Sequence, residues 1–364
     1  MPTVAVFFGG RSNESEVSVI TGMLVCNLLR GGSYRVLPVY LPPEGGMVTA
    51  DFRAVEEVVR PRKPPLPVRV EGMTLVRAKG RGRVVARFDV ALNCCHGGMG
   101  EDGTLAALLS WQGVPLASPA MPESAVFMDK WLTKIAARGL NIPVAPAVCL
   151  KEGEDGAAKA EEVGYPLVVK PVHLGSSIGV TVVHTPEELD AALALAFELD
   201  DAALLEKYFE GRRDINCAAA RIGEEVRLSP LEEVFSAGDV LTYREKYEEG
   251  RGGKCPAELP EEIAARIHAL TRTLYEAFGM RGIVRADFLV VGGEVYFNEL
   301  NMVPGSLAGY LLGGTLSGMR RFLEEVIADA LARPQTQKRI IHTGILTRGV
   351  FSGAKSCKRR QKIV

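Results

Sequence analysis

Residues 283–301 read IVRADFLVVGGEVYFNELN, two β-rich runs broken by Gly292-Gly293, and no other stretch constrains the fold as tightly. Turn residues between alternating apolar runs specify an antiparallel hairpin. If Gly292-Gly293-Glu294 forms a three-residue loop, Val291 pairs with Val295. Counting back then sets Asp287 opposite Glu299 and Arg285 opposite Asn301, all on one face. Two carboxylates facing each other across a ladder repel. A cation between them relieves the repulsion, and an Asp, Glu and Asn set suits Mg²⁺ or Mn²⁺ rather than zinc. A two-residue turn would instead send the carboxylates to opposite, solvated faces, and the hairpin alone leaves both readings open.

Upstream, strand-like and helix-like runs alternate over residues 3–41 and 88–117, which predicts a parallel, helix-covered sheet with loops forming a binding edge at its strand ends. Residues 42–87 are rich in Pro, Gly and Arg and read as a surface excursion with one candidate hairpin over 68–78. From 118 onward the pattern is α+β. Helices are expected at 129–139, 186–199 and 260–279, and strands at 144–150, 165–171, 180–183, 202–208, 214–222 and 224–235. The expected domains are 1–118 (α/β), 119–205 (small α+β), 206–333 (antiparallel sheet with the metal site) and a basic extension, 334–364.

At 364 residues, 47% hydrophobic and 24% charged, the chain reads as a soluble globular protein. No leader peptide opens it and no apolar run approaches the roughly 18–20 residues that span a bilayer, so a cytoplasmic protein without a membrane partner is expected. Its seven cysteines lack regular spacing. Cys94 and Cys95, adjacent on a strand, should face opposite ways as core residues. The net charge of −1 divides into −9 on residues 1–333 and eight Lys/Arg without Asp/Glu on 334–364. That tail reads as a solvated extension rather than a nucleic-acid-binding arm.

Three loops could carry chemistry. Residues 169–180, VKPVHLGSSIGV, put Lys170 at a strand end before Gly175, Ser176, Ser177 and Gly179, a set able to cradle phosphate although it lacks the Walker pattern. Taken alone, an ordinary turn is the simpler reading. The loops in 9–18 and 96–103 precede helices, whose N-termini attract anions. Capping by Asn13 with Glu16 in the first turn explains much of the former but leaves Glu14 unaccounted for. His96 reads as a buried, satisfied histidine. Five histidines without ligand spacing argue against zinc, and no G-x-S-x-G elbow nominates a serine hydrolase.

Taken together and in order, FFGGRSNESEVS, HGGMGEDG, MDKWLTK, VVKPVHLGSSIGV, LLEKYFEG, YREKY with CPAELP, VRADF and NELNMVPG resemble the ATP-grasp ligases, and within them the D-alanine–D-alanine ligases. The resemblance covers residues 3–312. It implies an ATP-grasp fold and a reaction in which ATP phosphorylates one amino acid's carboxylate and a second amino acid's amine attacks the acyl phosphate. The product implied is D-alanyl-D-alanine for peptidoglycan precursors.

By this resemblance Lys130, Lys170 and Lys246 meet the nucleotide phosphates, with Ser176 and Ser177 in the loop that closes over them. Adenine falls to Glu206 and the backbone of the segment holding Lys207 and Phe209. Asp287, Glu299 and Asn301 hold two Mg²⁺ (or Mn²⁺), Glu299 bridging. Arg285 and the Gly305 N–H stabilise the oxyanion. Glu14 faces the first ammonium and is linked to Ser176 and Tyr247, while His96 and Leu311 are further substrate contacts. The partners implied are ATP, amino acids and a second copy in a homodimer through the first domain.

Three positions depart from the family pattern. Tyr310 stands where a serine grips the second substrate's carboxylate. Arg213-Asp214 follows EGR where a ribose-binding glutamate is usual, which makes Asp214 the candidate after a one-residue shift. Ser15 replaces a basic residue. The nucleotide and metal motifs are thus retained and the acceptor pocket altered. This leaves open a paralogue using D-serine, D-aspartate, an L-amino acid or a peptide, or a nucleotide-binding protein without ligase activity.

Overall fold

In the computed structural model, which describes residues 1–235, 252–333 and 341, the strand Thr3–Gly9 (β1) is buried along its whole length. A strand apolar on both faces must be covered on both. Val4, Val6 and Phe8 pack with helix Ser15–Leu29 and helix Leu316–Ala332. Ala5 and Phe7 pack with helix Thr104–Trp111 on the other side. Cys94 joins the first core and Cys95 the second, as expected of neighbours on an extended chain.

β1 pairs in parallel with β2 (Arg35–Leu41). The segment that follows is no excursion. Strands β3 (Met47–Thr49), β4 (Leu66–Glu71), β5 (Thr74–Arg77) and β6 (Val84–Arg87) continue the sheet antiparallel to the edge. With β7 (Val90–Asn93), also parallel to β1, the order is β6-β5-β4-β3-β2-β1-β7. Residues 68–78 do form a hairpin, β4 with β5. The strand expected at 114–117 is a single bridge from Leu116 to Ala91.

A second sheet holds β8 (Ala147–Lys151), β9 (Leu167–Pro171), β10 (Thr181–Val183) and β11 (Ala202–Lys207) in the order β10-β9-β11-β8, all antiparallel. Helices Gly156–Val163 and Leu189–Leu199 share its core.

The third sheet has β12 (Arg213–Ile222), β13 (Glu225–Leu228), β14 (Glu232–Val234), β15 (Gly253–Lys254), β16 (Ile283–Val291) and β17 (Glu294–Asn301). Its described order is β15-β14-β12-β16-β17, with β13 on β12. The single strand expected over 224–235 breaks at Pro230, which has no N–H for a ladder. There the Ser229 hydroxyl takes the place of a ladder partner, accepting the Ala218 N–H at 2.9 Å. Helix Glu261–Ala277 packs on this sheet.

The three sheets belong to one compact unit, Met1–Ala332. The basic extension lies outside the described residues apart from Ile341. No helix among the described residues is long and apolar enough to cross a membrane.

Candidate active site

The β16–β17 hairpin reaches its expected pairing by another route. Its loop has two residues, because Val291 pairs with Glu294 and Val290 with Val295. Uncorrected, that register would put Asp287 and Glu299 on opposite faces. Phe288 pairs with Phe297, and Asn298 is then the extra residue of a β-bulge, after which Asp287 faces Glu299 and Arg285 faces Asn301. The bulge also aims Asn298 at the cleft, where its Oδ1 accepts from Lys170 Nζ at 3.4 Å.

Arg285 holds Asp287 with a fork, Nε and Nη2 each 2.7 Å from a carboxylate oxygen, a bidentate and charge-assisted pair. Asn301 Nδ2 donates to Asp287 Oδ2 at 3.0 Å, so its amide oxygen is the atom left to ligate. Asp287, Glu299 and Asn301 therefore offer hard oxygen donors along one wall of the cleft, a donor set that fits Mg²⁺.

Facing them in the same cleft are Lys130, Lys170, Ser176, Ser177, Lys207, Phe209 and Asp214, with Glu206 beneath. Glu206 is 3% exposed, and its two oxygens are ion-paired one each with Lys134 and Lys170. Burial alone would raise its pKa, but the two lysines outweigh it and hold the carboxyl down at about 2. The side chain is thus a post for Lys170 and Lys134. Lys134 was not singled out in the sequence, although its i,i+4 spacing from Lys130 puts both lysines on one helix face.

Lys207 turns away from the cleft centre to brace Gly164 O at 3.1 Å and Tyr165 O at 2.8 Å. Phe209 stacks on Tyr296 with centroids 4.8 Å apart. Arg213 is locked to Glu233 at 2.7 and 2.6 Å, whereas the next residue, Asp214, lines the cleft.

Helix Ser15–Leu29 has no side-chain cap, so capping by Asn13 is not what organises the first loop. Glu14, 9% exposed, accepts from Ser176 Oγ. Its Oε2 would lie 2.7 Å from a Cβ on Gly175 and 2.8 Å from one on Gly97. Three distant loops thus close around one carboxylate, and at two of them a side chain in place of glycine would have to displace it. Glu101, also missed in the sequence, sits beside it, and burial and then Glu14 push its pKa up to about 7. His96 is buried, and desolvation holds it down at about 4, a neutral imidazole. Lys246 and Tyr247 lie outside the described residues.

Models of the D-ala D-ala ligase N-terminus and of the D-ala D-ala ligase C-terminus match residues 3–119 and 137–311. The chain belongs to the D-alanine–D-alanine ligase family. It is 34% identical to the D-alanine–D-alanine ligase of Nitratiruptor sp. over 328 residues, 88% of this chain and 92% of that one. It is 36% identical to that of Geobacter sulfurreducens over 314 residues, 85% and 86% of the two chains. The crystal structure of the D-alanine–D-alanine ligase from Helicobacter pylori superposes with a TM-score of 0.76 at 27% identity, covering 92% of this chain and all of that one. That of the VanG D-Ala:D-Ser ligase from Enterococcus faecalis gives 0.78 at 28%, covering 90% and 99%.

In this family member one expected substrate contact sits elsewhere. Leu311 is 4% exposed within the first hydrophobic core, whereas Tyr310 lies close enough to Arg285 to act on its charge. The Tyr310 hydroxyl donates to Glu232 Oε2 at 2.9 Å. The cause is local, because Ser306, Leu307 and Ala308 all take left-handed φ and redirect the apolar run.

At the root of the glycine-rich loop, His173 Nδ1 is 2.9 Å from Asp200 and Nε2 is 3.5 Å from Asp129. The hydrogen bond to Asp129, aided by Asp200 against the opposing effect of burial, lifts its pKa from 6.5 to about 9. A raised pKa means stabilisation fully present below 6.5 and lost as pH rises through about 9. The melting-temperature advantage of wild type over His173→Asn is therefore expected to shrink across that window. A difference constant with pH would contradict the assignment.

Proposed function

We propose that the chain is an ATP-dependent ligase joining D-alanine to D-alanine through an acyl phosphate. The observation that carries this reading is the single cleft in which the Asp287, Glu299 and Asn301 wall faces Lys170 and the glycine-rich loop, with Glu14 at its inner end. Lys130 and Lys170 take the phosphates, the loop backbone covers them, Asp214 meets ribose and the backbone of 206–209 meets adenine. Asp287, Glu299 and Asn301 would hold two Mg²⁺, which would supply positive charge against the transferring phosphoryl group. Glu14 binds the ammonium of the first D-alanine. Attack by the second amine develops an oxyanion that the Arg285 guanidinium and the Gly305 N–H stabilise. Lys246 and Tyr247 keep the roles the resemblance implies.

The same reading takes residues 1–118, 119–205 and 206–333 as three subdomains of a cytoplasmic homodimer serving peptidoglycan precursor synthesis. Tyr310 in place of serine favours one alternative, a different acceptor such as D-serine. The test is phosphate release at fixed ATP and D-alanine while the acceptor is varied. D-alanine is expected to saturate as acceptor; if it is poor while another amine saturates, the product assignment falls.

A further inference from the structure

Gly305 lies in a strained turn. Ser306, Leu307 and Ala308, none of them glycine, have φ of 52°, 50° and 46°. Such a run persists only where its surroundings over-determine it, and here its backbone is held by hydrogen bonds from the first 101 residues. Glu101 accepts the Val303 N–H at 3.0 Å with one oxygen and the Gly97 N–H at 2.8 Å with the other. His96 lies against the Val303 backbone, and its Nε2 lies 2.8 Å from Thr21 Oγ1. Thr21 Oγ1 accepts the Ser306 N–H at 3.2 Å.

With a neutral imidazole, Nε2 can accept from the Thr21 hydroxyl, whose oxygen remains to accept from Ser306. Thr21 is 1% exposed and His96 4%, so water cannot replace either. The chain is gripped at 303 and at 306, on both sides of Gly305.

We propose that Thr21, His96 and Glu101 are positioning residues which fix the Gly305 N–H from the first domain and so set the oxyanion donor. This rests on the reading of Gly305 given above. Misplacing a donor by about 1 Å costs on the order of a hundredfold in rate, while Lys130, Lys170 and the 206–209 segment, to which the reading above gives the nucleotide, take no part in these contacts.

The experiment is steady-state phosphate release by the full chain with ATP and D-alanine. Thr21→Val keeps the shape and removes the hydroxyl. It is expected to lower kcat by about tenfold or more, with the ATP KM within about twofold of wild type, and Thr21→Ser is expected to restore kcat. Glu101→Gln leaves one acceptor oxygen for two N–H groups and is expected to show the same split. The two losses combined should be less than additive, since both act on one turn. Wild-type kcat in Thr21→Val and Glu101→Gln overturns the proposal, as does a rise in ATP KM matching the fall in kcat. If Thr21→Val does not fold, Glu101→Gln decides; if neither folds, the contacts are structural supports and the proposal falls. A wild-type chain without D-alanine-dependent phosphate release overturns the ligase reading and this proposal with it, whereas active wild type with equally active variants overturns this proposal alone.

Discussion

Glu299→Gln is expected to lower turnover by about a thousandfold or more while the protein stays folded. Glu299 is the carboxylate that the Asn298 bulge brings opposite Asp287, and in the proposed site it would be the ligand shared by the two ions. Glutamine keeps its size and one oxygen but lacks the charge that a shared ligand needs. The neighbouring Asp287→Asn is a poorer test, because Asp287 neutralises the largely buried Arg285 fork, and removing the partner of such an ion destabilises by itself. Neutralising Glu299 removes a like charge that faces Asp287 across the ladder. Phosphate release and thermal unfolding measured together check this. Near-normal turnover at saturating Mg²⁺ would refute the bridging role.

How far the site could be read in the sequence differs from residue to residue. The facing of Asp287 and Glu299 was legible, but for the wrong reason. The loop has two residues rather than three, and the bulge at Asn298 supplies the missing shift. A bulge is one residue in a run that otherwise alternates normally, so periodicity alone does not reveal it.

The strands in 42–87 were obscured by Pro and Gly, although LPVRVE alternates exposed and buried positions as a one-sided strand should. Helix Leu316–Ala332 was not anticipated, yet its apolar face closes the core of β1. Glu101, Lys134 and Thr21 were invisible for a common reason. Each acts on a group far away in the chain, Val303, Glu206 or Ser306, and nothing local marks such a partner. Tyr310 shows the converse. The substitution was plain in the sequence, but where the phenol points depends on three left-handed residues that no propensity favours.

Lys134→Met is expected to destabilise the protein by about 3–5 kcal/mol, the range for breaking a buried ion pair by removing one partner. Methionine fills the volume, so the loss is electrostatic. Lys134 is fully buried and Glu206 nearly so, and Glu206 Oε1 would face the interior without its cation. The pH dependence follows from the depressed pKa of Glu206. Its stabilisation is present above the ordinary value of 4.5 and is lost as pH falls through about 2. The gap between wild type and Lys134→Met in urea-unfolding stability is therefore expected to narrow as pH drops below 4.5. Adding Glu206→Gln to Lys134→Met should recover part of the loss, which a pure packing defect would not allow. The outcome also bears on the nucleotide, because Lys170 shares the same carboxylate. With Lys134 gone, Lys170 becomes the sole counter-charge of Glu206 and is drawn away from the phosphates, so the ATP KM should rise as stability falls. A Lys134→Met protein as stable as wild type, with an unchanged ATP KM, would show that Lys170 alone balances Glu206, and it would leave that carboxylate a candidate partner for the base.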